Sequence, residues 1–187
     1  MRDLKLFVGK LVLVGLVASP VLARPGGHGA HVHGVAELNL AMEGAALELM
    51  LTLPAGSLLG FESRATSPEQ VEAVGKAKSL LADGGALFFF TGTDCELDEV
   101  DVDASAVLAE SGDDHDEHDE HGHGKESHSD IIASYQFDCV NGAELKAVSV
   151  GDQGLPFGLD TINVMWVTGQ SQGGATLKAE RNTFELR

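Results

Sequence analysis

Residues 35–53, VAELNLAMEGAALELMLTL, decide the fold. Ala36, Leu38, Leu40 and Met42 alternate with Glu37 and Asn39, Glu43-Gly44-Ala45 makes a turn, and Leu47, Leu49, Leu51 and Leu53 alternate on the return. Strict period-two alternation on both arms of a glycine turn predicts a two-stranded hairpin with one apolar face.

Working outward, Pro54 ends the second strand, and a loop over 55–64 leads to a helix over Pro68–Ala82. Ser67 is placed to cap that helix, with Pro68 at its first position and Gln70 at the third, and Asp83-Gly84-Gly85 stops it. Val71, Val74, Lys78 and Leu81 recur at helical spacing, a narrow stripe that predicts a helix lying on the sheet. Further strands are expected at 86–90, 95–104, 131–140 and 145–150, then around Ile162, Val164 and Trp166, and at 175–179 and 183–186. The fold class is α+β: predominantly antiparallel β with one or two helices, a single compact domain over 35–187, with a long His-rich loop at about 105–130. A degenerate repeat at an offset of 98 residues pairs Gly44 to Leu47 and Leu59 to Glu62 with Gly142 to Leu145 and Phe157 to Asp160, which points to a diverged internal duplication.

The long loop contains a stretch whose composition is itself a chemistry. Residues 113–128, DDHDEHDEHGHGKESH, hold His115, His118, His121, His123 and His128, together with seven carboxylates that include Asp116 and Asp119. With no aliphatic side chain it cannot contribute to a core, so it is expected to stay solvated and disordered. Imidazole is largely neutral near pH 7 and is the commonest side-chain ligand for transition metals, while carboxylates concentrate cations and fill remaining coordination positions. Metal binding is therefore the expected function of this loop. His31 and His33, in a Gly-rich tail over 24–34, are a second group of candidate ligands.

Residues 1–23 read as a secretory signal peptide: Arg2, Lys5 and Lys10, an apolar run to Ala18, and Val21 and Ala23 before the cleavage point. The run is too short to span a bilayer and no cysteine follows it, so no membrane anchor is expected. The whole chain has a net charge of −17, and removal of the leader's +2 makes it more acidic still, which argues against nucleic acid as a partner and suits a cation ligand. Export makes a disulfide between Cys95 and Cys139 the default, with a thiolate metal site as the alternative. If the strands flanking the loop pair antiparallel, the two cysteines meet at the base of a hairpin with the loop at its tip.

An enzyme is not expected. Gly169-Gln-Ser171-Gln-Gly173 fits G-x-S-x-G, but no histidine follows His128 and strand patterns follow Ser171, so the match reads as a turn. The chain also lacks a phosphate-cradling glycine loop and an HExxH motif.

Residues 31–40 (HVHGVAELNL), Pro54-Ala55, Leu59-Gly60-Phe61-Glu62, the acidic His-rich insertion and Tyr135-x-Phe137-x-Cys139 together resemble the ZrgA-like periplasmic zinc-uptake family. The resemblance implies a periplasmic, non-enzymatic Zn²⁺-binding protein that assists a zinc ABC transporter, with the transporter's periplasmic binding protein as partner. It implies metal roles for His31, His33 and His128 and pairs Cys95 with Cys139. Ser63 and Ile132 stand where the family usually has histidines. The choice of zinc rests on the resemblance, because by ligand chemistry Ni²⁺ and Cu²⁺ are competitors. A metal buffer or metal-dependent adaptor, whose loop binds a protein partner, is the alternative function.

Overall fold

The structure, a computed structural model, describes residues 33–108 and 129–186. The opening hairpin is β1 (Val35–Glu43) and β2 (Ala46–Pro54), paired antiparallel with Leu40 opposite Leu49. Around it grows a six-stranded sheet. β4 (Cys95–Asp103) and β5 (Asp130–Cys139) extend it beyond β2, while β7 (Thr161–Val167) and β8 (Gln172–Leu177) extend it beyond β1, in the order β4-β5-β2-β1-β7-β8. Every pair is antiparallel except β1 and β7, which run parallel. A second, antiparallel sheet holds β3 (Phe88–Thr91), β6 (Ala147–Val150) and β9 (Thr183–Glu185) in the order β3-β6-β9.

The core lies between the sheets. Leu38, Leu47, Leu49, Leu51, Ile131 and Ile162 point inward from the large sheet, and Phe88, Val148, Val150 and Phe184 face them from the small one. Edge-on ring contacts join the layers, Phe88 to Tyr135 at 5.0 Å and Phe90 to Phe137 at 4.9 Å. The helix α2 (Pro68–Ala82) packs on the same face. Its Ser67 and Gln70 form the expected capping box. Its buried stripe is Val74, Ala77 and Leu81, narrower than expected, since Val71 and Lys78 are exposed.

Several details depart from the sequence reading, among them a short helix α1 (Ala55–Leu59) inside the stretch expected to be a loop and a strand β6 that begins at Ala147 rather than Leu145. Residues 86 and 87 are not strand: α3 (Gly84–Leu87) forms first, because the Asp83 carboxylate accepts from the Ala86 N–H at 3.3 Å and caps a single turn. Strand β4 does not alternate cleanly, because its register against β5 shifts between Leu97 and Glu99. That bulge turns Asp98 and Glu99 both outward and lets Leu97 and Val100 both reach the core. In the repeat, Gly60 (φ 79°) and Gly158 (φ 66°) take the same left-handed conformation. The strands after Gly44 and Gly142, however, join different sheets. Residues 168–171 are the hairpin turn between β7 and β8: the Thr168 N–H donates to the Ser171 carbonyl at 2.8 Å, and the Ser171 N–H donates to the Thr168 hydroxyl at 3.0 Å. A serine that leads straight into a strand is no nucleophile elbow.

Candidate metal centre

A cation site needs ligands from separate parts of the chain at one place. Antiparallel pairing of β1 with β2, β2 with β5, and β5 with β4 brings the start of β1, the end of β2, the start of β5 and the end of β4 to the same end of the large sheet. His33 precedes β1, and the segment 109–128 joins the end of β4 to the start of β5. The two histidine-bearing stretches, far apart in sequence, therefore depart from a common end. Hydrogen bonds hold the residues on either side of the segment 109–128 there. The Ala65 N–H donates to the Val107 carbonyl at 2.8 Å, the Ala55 N–H donates to the Ser129 carbonyl at 2.8 Å, and the Ser129 hydroxyl donates to the Ala106 carbonyl at 3.4 Å.

His33 is held in this setting by its neighbours. The Gly34 N–H donates to the Ser57 hydroxyl at 2.9 Å, on the short helix α1 (Ala55–Leu59), and the Gly34 carbonyl accepts from the N–H groups of Asp160 and Thr161 at 2.8 and 3.0 Å. Gly34 has φ 78°, and a Cβ there would run into the Asp160 carboxylate. The His33 Nδ1 lies 3.4 Å from a carboxylate oxygen of Glu62. The histidine ring is largely exposed and the carboxylate is mostly covered. Gly56 makes this approach possible, since a Cβ at that position would sit 2.8 Å from Glu62 Oε1 and 3.1 Å from His33 Cε1. A carboxylate on Nδ1 orients an imidazole and favours the tautomer whose Nε2 lone pair is available to a cation, a common outer-shell arrangement at metal-bound histidines.

At the stem of the segment 109–128, the Asp103 carboxylate accepts from the Ser105 N–H at 2.8 Å. That bond and one from the Ser105 hydroxyl hold its carboxyl below the usual carboxylate range, with Lys78 adding a smaller pull.

Of the candidate ligands, His33 is described, while His31, His115, His118, His121, His123, His128, Asp116 and Asp119 lie outside the described residues. So do the leader over 1–23 and most of the 24–34 tail. Among the described residues, no three His, Cys, Asp or Glu side chains come together to hold a metal. Cys95 and Cys139 face each other in the β4–β5 register and are joined as a disulfide, which removes the thiolate alternative. The bridge closes the end of the β4–β5 ladder opposite the histidine-bearing end. Ser63 follows Glu62 on the surface, and Ile132 faces outward from β5 between Thr52 and Asp103. The residues that sequence reasoning missed are Glu62, read only as part of a motif, and Gly56, whose lack of a side chain makes the pair possible.

The His33–Glu62 pair thus stands at the end of the sheet to which the segment 109–128 is joined. The model of the ZrgA family zinc uptake protein matches residues 30–186, and the chain belongs to that family. Its role is therefore zinc-related, in a family described by zinc uptake. No curated protein matches the chain. No helix among the described residues is long and apolar enough to cross a membrane.

Proposed function

We propose that this is an exported, periplasmic zinc-binding protein. It captures Zn²⁺ through the imidazoles and carboxylates of residues 113–128 and passes it to the periplasmic binding protein of a zinc ABC transporter. The observation that carries the reading is the common departure point of the two histidine-bearing stretches, beside the His33–Glu62 pair, in a chain of a zinc uptake family. A metal first held loosely by the acidic histidine segment would find a more ordered imidazole at its stem.

Histidine tracts that order only on binding lose conformational entropy, so each site should be modest in affinity and quick to exchange. That suits capture and hand-over better than storage. No His, Asp or Glu belongs to the buried core of the described residues, so loading and unloading would leave the frame intact.

The test is calorimetric zinc titration of the exported protein beside a variant lacking residues 112–128. Loss of most sites on deletion, with an unchanged circular dichroism spectrum, is the expected result. Full stoichiometry after deletion would move the site to the folded frame around His33 and Glu62.

A further inference from the structure

We infer that the outer face of the six-stranded sheet is a docking surface for a protein partner that presents an apolar centre flanked by lysine and arginine. The small sheet and α2 pack on one face of the large sheet. Nothing among the described residues covers the other. Met165, Val167, Met50 and Ile132 are exposed there by 65, 50, 42 and 37 % of their surface. They are half of the large apolar side chains exposed among the described residues.

Three of them are contiguous through the register, with Ile132 further along β5. Met50 and Met165 both pair with Asn39, from opposite sides, and Val167 pairs with Ala41. Asn39, Ala41, Met50, Met165 and Val167 line a groove of about 500 Å³. Methionines suit such a surface because their flexible, polarisable side chains adapt to a partner's shape.

The charge around this centre selects the occupant. No Lys, Arg or His occurs in any of the six strands. The edge strand β4 exposes Glu96, Asp98, Glu99, Asp101 and Asp103, the bulge turning Asp98 and Glu99 to the same side, and Glu48 and Glu37 add to them from the middle of the sheet. A second copy of this chain placed face to face with β4 over β4 would set carboxylates against carboxylates, and an anionic membrane would be repelled. Six strands about 4.8 Å apart and about seven residues long present on the order of 600 Å². That is close to the roughly 800 Å² that one partner contributes to a standard interface. The inference does not depend on the zinc reading.

The test titrates the full exported chain, followed by nuclear magnetic resonance, with a synthetic peptide of alternating lysine and leucine. The expected result is a set of shifts centred on Met50, Met165 and Val167, at least tenfold weaker binding in Met165→Lys and in Val167→Lys, and no such shifts with a glutamate–leucine peptide. Both positions are exposed, so the variants should keep the parent's circular dichroism. Shifts confined to residues 109–128, equal binding by the acidic peptide, affinity unaltered in both variants, or sedimentation as a dimer that Met165→Lys dissociates would each overturn the proposal.

Discussion

The buried hydroxyl of Tyr135, in the middle of β5, donates to the carbonyl of Leu81 at 2.8 Å. Leu81 stands in the last turn of α2, where backbone carbonyls have no partner within the helix. One side chain thus ties the helix end to the sheet, and Gly84 permits the approach, since a Cβ there would lie 2.8 Å from the Tyr135 ring. Tyr135→Phe removes the donor and strands the carbonyl, which should cost about 1–3 kcal/mol, read as a lower urea midpoint at an unchanged m-value.

The same tyrosine sets an alkaline limit. Burial pushes its phenol well above the ordinary value near 10. The unfolded chain then releases its proton first as pH rises, so the stability contribution is complete below about pH 10 and is lost above it. Wild-type stability should fall between pH 9.5 and 11 relative to Tyr135→Phe, by no more than about 1.4 kcal/mol per pH unit. Parallel curves for the two proteins would contradict the assignment.

The disulfide and the metal segment lie at opposite ends of the β4–β5 ladder and should separate experimentally. The bridge closes a loop with a sequence separation of 44 residues. Constraint of the unfolded chain over that length corresponds to about 4 kcal/mol, and 2–4 kcal/mol is the usual range observed. Replacing both cysteines with alanine should lower the melting temperature markedly while leaving zinc stoichiometry unchanged.

Gly173 lies under the indole of Trp166, where a Cβ would run into the ring. The ring has little room to yield, because its other neighbour is Phe184, stacked at 5.5 Å between centroids. Gly173→Ala should therefore cost about 1–3 kcal/mol. Trp166 is the only tryptophan in the chain, so its fluorescence reports the displacement directly.

Zinc affinity should fall steeply from pH 7 to pH 5.5. Free imidazoles take up protons near pH 6.5, and each ligand protonated at the lower pH weakens a site by roughly tenfold. Removing the metal with a chelator should leave the melting temperature within about 1 °C, since His33, the one candidate ligand among the described residues, is exposed. A large drop in melting temperature would make zinc a structural ion and the carrier reading untenable.

The opening hairpin, the capped helix and most strands were legible in the sequence because each is written in local alternation or in a capping pattern. The pairing of Cys95 with Cys139 was legible because both cysteines sit near the ends of strands flanking one long connection. The parallel partnership of β1 with β7 was not, since the two strands are far apart in sequence and local alternation cannot choose between neighbours. Nor could it show that Val71 faces solvent while Ala77 packs, because that choice depends on how closely the helix approaches the sheet.

The same division applies to the site. By itself, the sequence determined that residues 113–128 are ligand-rich and cannot enter a core, because composition alone sets both properties. Only the tertiary structure decided that His33 meets Glu62 across Gly56, and that this pair stands at the end from which the ligand-rich segment departs. Strand order places those residues, and strand order follows from burying the apolar faces of all six strands at once, a condition no short stretch of chain contains.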